Sequence, residues 1–215
     1  MFEKGKLYFV PIEQIRKVRT WVMADPLSRM GVLADIYRLN TLSMIKEAGS
    51  GHIGTSFSAM DIVTWLWEKE MDGPNWEFGS SVNFGPSDHD IFFSSKGHDV
   101  PGLYSVLIGL EYLPYEYVHK LRRLYGLPGH PDIGTPYIAT NTGSLGMGVS
   151  KARGMAYARR QLGVNGRIYV LTGDGELQEG QIWESLGKTA NDRYTEITVI
   201  VDHNKMQSDT FVSKV

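Results

Sequence analysis

A strand–helix–strand pattern in the last third of the chain limits the fold more than any other feature. Residues 167–172, RIYVLT, form a short apolar run, and residues 196–202, EITVIVD, form a second. Runs of this length, rich in β-branched residues, read as buried strands. Between them a glycine turn leads into a helical segment over 180–191. This spacing makes a βαβ unit, so a parallel sheet with a right-handed crossover is expected. Ligands of such sheets bind at the carboxyl ends of the strands. The polar tips Gly173-Asp174-Gly175 and Asp202-His203-Asn204 fall at those ends.

Upstream, Asp25-Pro26 predicts an N-cap with proline at the first helical position, and a helix to about Ala48 that Gly49-Ser50-Gly51 ends. Ser58 and Asp61 have capping-box spacing before IVTWLW, which predicts a helix over 58–70. Residues 72–90, rich in Gly, Pro, Ser and Asn, read as a long surface loop. A strand is expected over 91–94, a helix over 100–110, and another from Pro114 to about Tyr125. The segment SLGMGVSKARGMAYARR predicts a small-residue helix leading into the first βαβ strand. The fold class is therefore α/β.

The chain has 215 residues, enough for one large domain or two small ones with a sizeable core. A net charge of −2 without any Lys/Arg run argues against nucleic acid or an anionic membrane as partner. The absence of cysteine excludes disulfides, thiolate metal sites and cysteine nucleophiles. MFEKGKLYFVPIEQ lacks the apolar core of a signal peptide, and no stretch of about 18 apolar residues occurs. A soluble, cytoplasmic protein is expected.

Asp174 and Asn204 each sit just past one of the two strands, so the crossover should bring them to one rim. A carboxylate and an amide carbonyl are hard donors suited to Mg²⁺ or Ca²⁺, with phosphate oxygens completing a Mg²⁺ shell. The glycines flanking Asp174 allow close backbone approach to a phosphate at the start of a helix. Gly-Asp-Gly alone also fits an ordinary capped βα turn; the distant Asn tips the reading towards a ligand site. Of six histidines, His52, His98 and His130 stand in glycine-flanked turns that can expose side chains to a cleft. His89, His119 and His203 have no such setting. Gly143-Ser144-Leu145-Gly146-Met147-Gly148 lacks dinucleotide-loop spacing, and Leu186-Gly187-Lys188-Thr189 is no P-loop because Ile182 stands where glycine is required.

The runs GDGELQEGQIWES and IVDHNKMQ resemble the thiamine-diphosphate motif of the transketolase family. Five motifs in the family's order extend the resemblance over about residues 29–212, and Gly129-His130-Pro131-Asp132 resembles the form common in split-gene bacterial N-terminal subunits. The resemblance implies a three-layer thiamine-diphosphate-binding fold. It implies Asp174, Asn204 and the backbone carbonyl of Met206 as ligands of Mg²⁺ or Ca²⁺. His98, Gly143, Leu145, Gly146, Gly173, Asp174, Gly175, Glu176 and Asn204 would line the cofactor, with the Gly146 carbonyl near the aminopyrimidine. His52, His98 and His130 would act on substrate and cofactor, His130 moving a proton. Glu179, supported by Glu184, would couple paired active sites across a dimer interface. Departures from the family's usual residues are Ile53, Asp99, Val100, Met147 and Glu176, the last expected to add negative charge near the diphosphate and tune cation affinity.

The activity so implied is transfer of a two-carbon ketol unit from a ketose to an aldose or its phosphate, as in the pentose phosphate pathway. Residues 1–25 are expected to form an N-terminal extension and 26–215 the diphosphate-binding domain, C-terminally truncated and without a pyrimidine domain. A C-terminal half carrying that domain is then the expected partner, in a homo- or hetero-oligomer, with the chain inactive alone. Two alternatives remain: another thiamine enzyme, such as a deoxyxylulose-phosphate synthase or 2-oxo acid dehydrogenase component, or a non-catalytic domain that kept the fold.

Overall fold

The computed structural model describes residues 7–23, 25–72, 88–207 and 210–214, so most of the loop expected at 72–90 lies outside the described residues. The chain forms two compact units, Met1–Glu70 with His98–Gly129, and Met71–Gly97 with His130–Val215.

The first unit is helical. Helix α1 spans Ile12–Arg19, α2 Pro26–Ala48, α3 Ile53–Ser58, α4 Met60–Trp65 and α5 Val100–Gly109. The others pack on α2. Its start follows from the sequence: the Asp25 carboxylate accepts the amides of Leu27 and Ser28, and Pro26 supplies a preset φ. Gly49 ends it at φ +76°. Met30, Leu33, Ala34, Tyr37, Thr41, Met44 and Ile45 are buried at helical spacing. Helix α5 is buried along its whole length. Gly109 lets it approach α2, since a Cβ there would stand 2.8 Å from Cζ of Tyr37. Residues of the expected N-terminal extension pack into this unit through Ile15 and Val18.

Two expectations fail here. Ser58 ends α3 rather than capping a helix; its hydroxyl donates to the Thr55 carbonyl at 3.2 Å, and Asp61 pairs with Arg38. The predicted 58–70 helix is thus broken at Ala59, and its last part, Leu66–Glu70, is π-helical. After Pro114 only a 3₁₀ segment, Tyr115–His119, forms. The amide of Arg122 donates to Leu127 and that of Leu127 to Lys120, with Arg122 and Tyr125 at positive φ, which no continuing α-helix tolerates.

The second unit holds strands β1 (Ile91–Ser94), β2 (Ile168–Gly173) and β3 (Ile197–Asp202) in one parallel sheet ordered β1-β2-β3. Its register pairs Ile91 with Ile168 and Gly173 with Asp202. Helices α6 (Gly148–Leu162) and α7 (Gly180–Asn191) precede and follow β2, and short strands β4 (Met206–Gln207) and β5 (Thr210–Phe211) pair antiparallel. The parallel α/β architecture read from the sequence is present. Small residues let α6 lie close: Ala152 and Ala156 join Phe93, Ile168 and Val170 in the core. Helix α6 starts later than expected, at Gly148, because Gly143 (φ +127°) and Gly146 (φ +82°) hold 143–147 in non-helical backbone. No helix among the described residues is long and apolar enough to cross a membrane.

In the first unit the Tyr37 hydroxyl, fully buried, donates to Glu68 at 2.6 Å, and Arg19 Nε holds the other Glu68 oxygen at 3.0 Å. Glu68→Ala leaves that hydroxyl unpaired and should cost about 1–3 kcal/mol in urea denaturation, less in a Tyr37→Phe background. Burial, and next the Glu68 charge, push the Tyr37 hydroxyl well above the usual tyrosine value of 10.0. A raised folded-state pKa gives stability that is complete below the unfolded value and lost above it. Stability of the wild type should therefore fall more steeply above pH 10.0 than that of Tyr37→Phe.

Candidate functional site

The carboxyl ends of β2 and β3 form a rim in the second unit. Gly173 pairs with Asp202, and the next amide, of Asp174, donates to the Asp202 carbonyl at 3.2 Å. The Asp174 side chain is buried, accepting Gly175 N at 3.0 Å on Oδ1 and Lys205 N at 2.8 Å on Oδ2. The second bond ties the Asp174 turn to the loop carrying Asn204. Asn204 Oδ1 accepts Met206 N at 2.8 Å, which turns the chain into β4. Glycine is required at 175, where a Cβ would lie 2.6 Å from Cβ of Gln207.

A buried ion pair underlies this rim. Lys96, just after β1, reaches Asp202 at 2.8 Å, with side chains 3% and 6% exposed. Its stem crosses the end of β2, since a Cβ on Gly173 would lie 3.1 Å from Lys96 Cδ. Lys96 went unnoticed in the sequence. Its place immediately beyond a predicted strand, next to Gly97-His98, was the available signal.

The Gly143–Gly148 backbone is held by side chains. Gly146 N donates to Glu176 Oε1 at 2.7 Å, Gly148 N to Ser95 Oγ at 3.0 Å, and Gln181 Nε2 to the Leu145 carbonyl at 2.7 Å. Ser95 and Gln181 were not singled out from sequence, since nothing local marks either. Glu176, expected beside the diphosphate, is buried against Ser95, Gly146 and Gly173.

The same segment carries His130. A Cβ on Gly143 would stand 2.7 Å from His130 Cδ2, and one on Gly97 would stand 2.6 Å from Gly143 N. Two bare glycines thus stack beneath an exposed imidazole. Asn141 braces the loop, its Oδ1 accepting Ile133 N at 2.8 Å, while Asp132 accepts Gly134 N at 2.8 Å. In the first unit His52, ahead of α3, and His98, ahead of α5, lie edge to face with ring centroids 5.1 Å apart. Glu179 and Glu184 are exposed at and beyond the start of α7. Among the remaining histidines, His119 bonds Glu47 at 2.8 Å, whereas His203 Nε2 stands 3.8 Å from Asp174 Oδ2, on the rim itself.

This donor set fits a hard cation bound together with a phosphate. Asp174 uses two of its four lone-pair positions on backbone amides, leaving the others for coordination. Among the described residues no group of three His, Cys, Asp or Glu side chains is placed to hold a metal by itself. Mg²⁺ at such a site completes its shell with water, carbonyl and phosphate oxygens.

Removing one member of the Lys96–Asp202 pair takes the opposite charge away from its buried partner. Lys96→Met should lower stability by about 3–5 kcal/mol, and adding Asp202→Asn should restore part of it, read from urea midpoints. Gly143→Ala should displace the His130 ring, visible as a shift of its imidazole NMR signals with the other histidines unchanged.

Residues 31–215 match the family described as transketolase, thiamine diphosphate binding domain. The chain is 35% identical over 188 residues to a 6-deoxy-6-sulfo-D-fructose transketolase subunit, SqwG, from Clostridium sp., covering 85% of this chain and 65% of that protein. It is 35% identical over 167 residues to an apulose-4-phosphate transketolase subunit from Actinobacillus succinogenes, covering 77% and 58% respectively. Transketolase from Leishmania mexicana superposes with a TM-score of 0.72 at 26% identity, over 93% of this chain and 28% of that one. The chain thus spans 65% or less of the relatives it matches. With a matching fold and a family match over residues 31–215, the chain belongs to the transketolase family through its thiamine diphosphate-binding domain.

Proposed function

We propose that this chain binds thiamine diphosphate and Mg²⁺ and works with a partner carrying the pyrimidine domain, in an oligomer, to move a two-carbon ketol unit from a ketose to an aldose phosphate. The observation that carries this reading is the Lys205 amide bond to Asp174, which joins the two strand-end loops into one rim. Family membership and the kinship with proteins described as transketolase subunits support it. A cytoplasmic location accords with such chemistry.

In this reading Asp174, Asn204 and the Met206 carbonyl hold the cation, and Gly173 and Gly175 admit the diphosphate. When bound, thiamine diphosphate supplies the electron sink that lets a carbon–carbon bond beside a ketose carbonyl break. The chain's part is binding, orientation and proton movement. The Gly143, Leu145 and Gly146 backbone lines the aminopyrimidine side. His52 and His98 bind substrate oxygens, His98 also serving the diphosphate, and His130 exchanges a proton at a substrate hydroxyl. Glu179, exposed at the N-cap of α7, meets a second protomer. The transketolase relatives and the three histidine turns favour ketol transfer over pyruvate decarboxylation.

A thermal-shift titration tests the cofactor half of this reading. At a hundredfold excess over Kd, thiamine diphosphate with Mg²⁺ should add about 2.7 kcal/mol, roughly 5–10 °C for a chain this long. Asp174→Ala should abolish that shift, and so should EDTA. Ketol transfer should appear only on mixing with a partner chain that carries the pyrimidine domain. A wild type that thiamine diphosphate does not stabilise would overturn the reading.

A further inference from the structure

We propose that Glu176 is a positioning residue: its buried carboxylate fixes the Gly143–Gly148 backbone and does not touch the diphosphate or the cation. The inference rests on the reading above, in which that backbone and Asp174 flank thiamine diphosphate.

Glu176 is 3% exposed, so its carboxylate is withdrawn from solvent although it lies two residues from Asp174. Oε1 accepts Ser95 Oγ at 2.5 Å and Gly146 N at 2.7 Å, and Oε2 accepts Gly173 N at 3.1 Å. The donors come from three stretches of chain: the loop after β1, the glycine segment and the end of β2. Ser95 extends the clamp, since its hydroxyl donates to Glu176 while accepting the Gly148 amide at 3.0 Å. Two amides of the segment are thereby met by one linked carboxylate–hydroxyl pair, and Gln181 holds the Leu145 carbonyl. Gly146, at φ +82°, leaves no room for a Cβ, which would stand 2.8 Å from atoms of both Gln181 and Glu179.

The side chain makes only bonds in which it accepts. A carboxylate suits that pattern, whereas a glutamine amide must turn an NH₂ group towards one of the same donors. This separates the two roles Glu176 could have. Beside an anionic diphosphate its charge would repel, so neutralising it would tighten binding. As a clamp, the same change breaks the bracket and loosens the segment.

The test uses the full chain and Glu176→Gln, Glu176→Ala, Ser95→Ala and Ser95→Ala/Glu176→Ala variants. Hydrogen exchange without ligand should quicken by about tenfold or more in the 143–149 peptides of each variant, while α7 and β3 stay protected. Calorimetry with Mg²⁺ should show thiamine diphosphate affinity falling on the order of tenfold in both Glu176 variants, with the double variant no weaker than Glu176→Ala. Inorganic pyrophosphate, which lacks the aminopyrimidine, should lose about threefold or less. Ser95→Ala keeps the carboxylate and reads the clamp even where a Glu176 variant folds poorly. Unchanged exchange at 143–149, binding by Glu176→Gln as tight as wild type or tighter, or equal losses on both ligands would overturn the proposal. A wild type that takes up no thiamine diphosphate fails the cofactor reading, while the exchange result still decides whether Glu176 holds the segment.

Discussion

Burial of β2 between two parallel neighbours governs the geometry of its unit. All six of its residues, Ile168–Gly173, are buried, and its register sets Gly173 level with Asp202. A chain leaving such a strand must turn at once, and the turn must satisfy its own polar groups. Asp174 does so through backbone amides on both sides of the rim. Lys96 and Asp202 neutralise one another beneath it. Helix α6 can approach this strand only through small residues: a Cβ on Gly148 would meet Val170 at 3.1 Å.

What results is a candidate site made largely of backbone and held by side chains, all but Gln181 buried. Asp174 anchors Lys205, Glu176 anchors Gly146, Ser95 anchors Gly148 and Gln181 anchors Leu145. Gly97 and Gly143 extend the same logic, stacking without side chains so that the His130 ring can lie over them. Backbone groups fixed in this way need no rearrangement when a ligand arrives, which favours binding through preorganisation.

Features governed by neighbours in sequence were legible. The Asp25-Pro26 start and Gly49 end of α2, the βαβ unit and the meeting of the Asp174 and Asn204 loops follow from local chemistry and strand direction. Features decided by distant partners were not. Ser58 and Asp61 have capping-box spacing, yet Asp61 is taken by Arg38, 23 residues away. Glu176 looks like a surface charge in a turn until Ser95, 81 residues earlier, and Gly146, 30 residues earlier, come to meet it. The family resemblance picked out the candidate residues; the hydrogen bonds show how the fold holds them.

Cation and cofactor placement can be read directly from a crystal structure grown with thiamine diphosphate and Mn²⁺, by anomalous scattering. One strong peak is expected within coordination distance of the Asp174 carboxylate and the Asn204 amide oxygen, with diphosphate oxygens beside it. A cation bound elsewhere, or a diphosphate that does not reach the Gly173–Gly175 turn, would contradict it.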